Sequence, residues 1–157
     1  MRTILAVGLI SLFLIGGQAW AAPKAQYLID SKPDQGVLIH LDEWFSTHPL
    51  KEGQASYGEQ VFSSPRGTVS LFTKKDTLPV IGRHIHLTTD EIIFVYKGEG
   101  EIYINGEWMP VKAGDLHVCP RGVAHSSRTV GDSELCFISV FMPPQPNTGH
   151  DRVMIDE

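Results

Sequence analysis

The sequence predicts a single all-β domain of the sandwich or barrel class, and three observations carry that reading. Apolar residues recur with a period of two in short runs, turn chemistry separates those runs, and no heptad, internal repeat or long linker interrupts them. The runs are "GVLIHL", "GEQVFSS", "GTVSLFT", "EIIFVYKG", "EIYI", "EWMPV", "DLHVCP", "HSSRTV" and "ELCFISVFM", each 4 to 9 residues long. Asn105-Gly106, between "EIYI" and "EWMPV", is the strongest hairpin signal, because a type I′ turn needs positive φ at both central residues. "LDEWFSTHPL" is expected to hold one short helix that stops before Pro49, and the Pro-rich "FMPPQPNTG" to lie as an irregular segment over the body.

A chain of 157 residues with 42% hydrophobic and 20% charged residues has the length for one domain with a real core. Its formal net charge of −5 and its lack of a Lys/Arg cluster argue against nucleic acid or an anionic membrane surface as the main partner. The first residues are set apart from the fold. "MRTILAVGLISLFLIGGQAWAAP" has Arg2 as a short positive region, an apolar run from Ile4 to Ile15, and the small-residue site Ala19-Trp20-Ala21. This predicts a signal peptide over residues 1–21, cleavage after Ala21, and an exported mature domain over 22–157, in a periplasm or the extracellular medium. The apolar run is well short of the roughly 20 residues that span a bilayer, so no stable membrane insertion is expected. Export makes a disulfide between Cys119 and Cys136 feasible, and two small buried hydrophobes on neighbouring strands are the alternative.

Chemistry concentrates in "HIHLTTDEIIFVYKGEG". Residues alternate faces along a strand, so His84 and His86 project the same way if "GRHIHL" is extended, and both imidazoles can reach one ion. Glu91 follows the turn "TTD" at the start of the next strand, and "GDLHVCPRGVAHS" supplies His125 after a Pro-x-Gly turn. Three neutral imidazoles and one carboxylate suit a divalent transition metal. His40, His48, His117 and His150 lack a partner at ligand spacing. Cys119 is read as packing or disulfide, and Tyr96, Lys97, Glu99 and Glu101 as solvated hairpin residues.

These residues resemble the cupins, small barrels with two motifs that place three histidines and one glutamate around a metal. The first motif, H-x-H-x4-E-x6-G, is matched by His84, His86, Glu91 and Gly98, and the second, G-x5-P-x-G-x2-H, by Gly114, Pro120, Gly122 and His125. The match covers about residues 82–129. It departs at Leu78, where the family often has glycine, and at Thr129, where it has asparagine; neither position binds metal in the family. The resemblance implies a double-stranded β-helix, or jelly-roll barrel, holding one divalent metal (Fe, Mn, Ni, Zn or Cu) on His84, His86, Glu91 and His125. It also implies a small-molecule ligand or substrate and a homodimer. Four protein ligands on a six-coordinate ion leave two positions for a substrate's oxygens, water or dioxygen. The expected activity is that of an oxygenase, isomerase or lyase on a small oxygen-rich molecule, and non-catalytic binding is the alternative. No catalytic residue beyond the ligands is singled out: Ser127 shares the inward side with His125, while Arg83, Arg121 and Asp90 lie at edges.

Overall fold

Period-two patterning becomes two stacked sheets. The computed structural model describes residues 36–75, 81–145 and 151–155. Helix α1 (Leu41–Thr47) precedes strands β1 (Ser56–Ser64), β2 (Gly67–Lys74), β3 (His84–His86), β4 (Asp90–Lys97), β5 (Glu99–Ile104), β6 (Glu107–Lys112), β7 (Leu116–Cys119), β8 (His125–Thr129), β9 (Leu135–Met142) and β10 (Arg152–Met154). One sheet has the order β1-β2-β9-β4-β7 and the other β10-β3-β8-β5-β6, with every pairing antiparallel. This is a double-stranded β-helix. Among the described residues no helix is long and apolar enough to cross a membrane.

Strand parity sorts the interior into levels. On β4, Glu91, Ile93 and Val95 are buried, while Phe94 is 38% exposed. Their neighbours on β9 are Phe141, Ser139 and Phe137, all buried as well. Ile93, Val95, Ile102, Ile104, Leu135 and Phe137 fill the body of the barrel, and burying such side chains contributes about 1.5–3 kcal/mol each. The level above this filling, at Glu91, carries polar groups instead.

Asn105 and Gly106 take φ of 54° and 90° between β5 and β6, as a type I′ hairpin requires. The motif glycines Gly98, Gly114 and Gly122 also have positive φ, which explains their fixed places between strands. On β1, Gly58 opposes Phe72, and a Cβ there would lie 2.2 Å from the Phe72 ring, so the missing side chain is what lets that ring lie against β1.

Three expectations need correction. "GVLIHL" is not a strand: residues 36–40 are irregular, Val37 and Leu38 are 59% and 81% exposed, and Leu41 begins α1. A short apolar run becomes a strand only where a neighbouring edge supplies ladder bonds, and among the described residues this one has none. Tyr96 is more than a solvated hairpin residue: its hydroxyl donates to Asp42, and its ring stacks on Phe45 at 5.3 Å, fastening α1 to β4. Likewise Glu101 accepts from Arg128 at 2.6 Å. The irregular reading of "FMPPQPNTG" holds for residues 143–145, while Phe141 and Met142 belong to β9; residues 146–150 and the expected signal peptide lie outside the described residues.

Candidate metal centre

Sequence spacing alone put His84, His86, Glu91 and His125 at one place, and the fold brings them there. His84 and His86 are the two ends of β3, buried on the same side with Ile85 between them. His84 is directly opposite His125, the first residue of β8. Glu91 comes from the other sheet, so the site bridges the two sheets. One ligand atom from each of the four residues lies within 4.8 Å of the others, and all four residues are buried.

Each imidazole is turned so that Nε2 faces the centre. His84 Nδ1–H donates to the Gly82 carbonyl at 3.0 Å, and His125 Nδ1–H to the Val123 carbonyl at 2.9 Å. His86 Nδ1–H donates to Asp151 Oδ2 at 2.9 Å. Asp151 is 3% exposed and also accepts from the Thr88 hydroxyl and backbone N–H, at 2.6 and 2.8 Å. Burial pushes the Asp151 carboxyl upward, but these hydrogen bonds outweigh it and hold the pKa below the usual range. Such partners fix tautomer and ring orientation and increase ligand basicity.

His86 Nε2 carries a lone pair 3.4 Å from Glu91 Oε2 and is a buried atom without a hydrogen bond, so a lone pair and a carboxylate face each other. Glu91 is held below the ordinary carboxylate range; burial opposes this, and the hydrogen bond and charge of His125 outweigh burial. His125 Nε2 is 3.0 Å from Glu91 Oε2. Burial disfavours its charge, yet contacts with the Cys119 thiol and the Glu91 carboxylate push its pKa up to about 10. A proton on His125 thus stands where a cation would. Burial lowers His84 to about 4, so it is neutral and ready to coordinate. Buried lone pairs converging on a buried carboxylate, with every other ring nitrogen tied down, fit a divalent transition metal.

The site opens on a cavity of about 180 Å³ lined by His84, Glu91, His125, Phe72, Phe137 and Phe141, among others. Ser127 lines it too, as strand parity predicted. Arg121 and Asp90 meet at the edge, where the Arg121 N–H donates to Asp90 Oδ1 at 2.9 Å, and Arg83 lies 5.0 Å over the Tyr103 ring. His117, set aside in the sequence, is half-buried opposite Ile93 with its pKa lowered to about 4 by burial, and it stays outside the four-residue cluster. Two residues escaped sequence reasoning. Asp151 sits far along the chain, and nothing local marks it as a partner of His86. Lys74 lines the cavity and is 5% exposed; its only signal was shared parity with Phe72.

The cysteines are free thiols. Cys119 opposes Glu91 and Cys136 opposes Lys97, on opposite flanks of β4. Six residues along a strand amount to roughly 20 Å, against the ~7 Å limit between bridged Cα atoms, so the disulfide alternative is excluded.

Comparison with known proteins agrees with this geometry. Residues 77–141 match the model of the cupin domain. An uncharacterized conserved protein with a double-stranded β-helix domain from Klebsiella pneumoniae superposes with a TM-score of 0.62 at 22% identity, covering 78% of this chain and 100% of that one. The matched segment, residues 77–141, is a cupin domain, and the four residues of the candidate centre lie within it. The chain is 36% identical over 62 residues to the oxalate-binding protein of Thermotoga maritima, across 40% of this chain and 51% of that one. A solved structure described as a predicted oxalate decarboxylase from the same organism has a TM-score of 0.52 at 26% identity, covering 56% of this chain and 80% of that one. The chain thus spans about half the length of the curated relative it matches.

Proposed function

We propose that this protein is an exported, metal-dependent enzyme acting on a small oxygen-rich molecule. The observation that carries the reading is that His84, Glu91 and His125 line a cavity while their ligand atoms converge. A metal that only tied strands together would not need its ligands to border such a space. When bound, a divalent ion supplies Lewis acidity, or with iron a route to dioxygen activation.

The chain's own residues do the rest. Asp151, Gly82 and Val123 hold the imidazole rings in place through Nδ1. Phe72, Phe137 and Phe141 exclude water from the reacting groups and strengthen electrostatic interactions in the cavity. A cavity of about 180 Å³ admits a molecule of a few carbons. The relatives named for oxalate support a substrate of that size.

A second reading, binding without turnover, is favoured by one observation. Among the described cavity-lining residues, no carboxylate or imidazole is present besides the ligands, so acid–base chemistry would have few performers. The test is elemental analysis of protein from its native compartment, followed by turnover assays with small acids, sugars and phenols on single-metal preparations. Turnover with one metal, abolished in His125→Ala, supports the enzyme. Saturable binding without turnover under every metal supports the binding protein.

A further inference from the structure

Strand β10 is the edge strand beside β3, and residues that oppose one another across an antiparallel pair share a face of the sheet. Arg152 opposes His86, and Met154 opposes His84. The Arg152 side chain therefore leaves β10 on the inward side, the Cβ atoms of such a pair being about 5 Å apart. It lines the same cavity as His84, Glu91 and His125, yet the residue is exposed, which places it at the rim. Burial does most to keep His84 neutral, and after His125 the charge of Arg152 adds to it. Two cations line the cavity. Lys74 is engaged by the Ser127 carbonyl and hydroxyl, whereas Arg152 makes no hydrogen bond or ion pair with the described residues. A guanidinium presents its N–H donors in a planar fork that matches the two oxygens of a carboxylate. The residue before it, Asp151, holds His86 through Nδ1, so consecutive residues of β10 serve the candidate centre and the cavity.

We propose that Arg152 selects the ligand, taking one carboxylate of a small organic acid at the cavity rim while a second oxygen function of the acid points toward His84, Glu91 and His125. This rests on the metal reading above for its second end. The fork discriminates against neutral sugars, amides and phenols of the same size, which gain only neutral hydrogen bonds from it. Because the guanidinium is exposed, its contribution is moderate and salt screens it.

The experiment is calorimetric titration of zinc-loaded protein with malonate, and with malonamide as its neutral counterpart. The wild type should bind malonate more tightly than malonamide. Arg152→Gln should weaken malonate about five- to tenfold and leave malonamide within about twofold. Arg152→Lys keeps the charge and loses the fork, so its malonate affinity should fall between the two. Zinc affinity, read by competition with a chelator, separates recognition from damage. Removing a cation near the centre should leave zinc held as tightly or more tightly, whereas a disturbed β10 would draw Asp151 away from His86 and weaken it. Weakened malonate with zinc unweakened supports the proposal. Wild-type malonate affinity in Arg152→Gln, equal losses of malonate and malonamide, or no malonate binding by zinc-loaded wild type overturns it. Should Arg152→Gln weaken zinc, Arg152→Lys with zinc retained decides: reduced malonate affinity upholds the proposal and unchanged affinity overturns it. If zinc does not load on the wild type, the metal reading falls separately, and the same Arg152 comparison in metal-free protein upholds or overturns the acid-selecting role.

Discussion

Asp151 is the residue whose role is most open to measurement, because it reaches the centre only through His86 Nδ1. Asp151→Asn keeps the shape and loses the charge, so metal affinity should fall about 10- to 100-fold while the barrel persists. Competition with a chelator of known affinity reads this directly, and unchanged affinity would remove Asp151 from the site. The protons on the ligands make a second prediction. His125 is held protonated up to about 10 and His84 neutral down to about 4, so between those values a metal must displace one proton, from His125. The logarithm of apparent affinity should therefore climb by about one per pH unit through neutrality, instead of levelling off above about 6 as free histidines would. Without metal the two groups act oppositely on stability. The His125 contribution is complete below its ordinary 6.5 and is lost as pH rises through about 10, whereas that of His84 is lost as pH falls from 6.5 through about 4. The melting temperature of metal-free protein should peak near 6.5, and a plateau from 5 to 9 would contradict both assignments.

At the scale of elements, β4 organises the molecule. It lies between β9 and β7, contributes Glu91 at one end and Val95 to the core, and separates Cys119 from Cys136. Its register dictates a chemical result: denatured, non-reduced protein should titrate with two free thiols, and a reducing agent should leave the melting temperature unchanged. A bridge closing this loop would instead stabilise by about 3 kcal/mol, lost on reduction. Helix α1 is attached differently, by the Tyr96–Asp42 hydrogen bond and by the stacking of Trp44 on Tyr57 at 6.2 Å. None of its residues is buried, so it is an outer attachment and adds little to the core.

For the molecule as a whole, the core and the centre are separable. Ile102, Leu135, Phe137 and their neighbours form the buried cluster without any of the four candidate ligands. His84→Ala and His125→Ala should each abolish stoichiometric metal binding while the circular dichroism stays that of a β protein. Metal should raise the melting temperature of the wild type alone, since binding to the folded state stabilises it by mass action. Export is tested on the same scale: mass spectrometry of protein recovered outside the cytoplasm should find Ala22 at the N-terminus, and an intact Met1 would refute the proposed processing.

The sequence by itself determined the strand class, the Asn105-Gly106 hairpin and the candidate metal residues His84, His86 and Glu91, because each is encoded over a short span, and His125 was legible through the second motif. A period of two, a turn that tolerates positive φ, and H-x-H followed by a carboxylate depend on neighbours a few residues away. Only the tertiary structure decided what depends on the pairing of distant segments. Among the described residues it left "GVLIHL" without a partner strand, and it put Cys119 and Cys136 on opposite flanks of β4. It also set Asp151 behind His86 across the β3–β10 pairing, and carried the Lys74 ammonium to Ser127. The physical reason is that an imidazole's second nitrogen or a buried ammonium takes whatever partner the closed barrel brings within about 3 Å, and sequence separation carries no information about that distance.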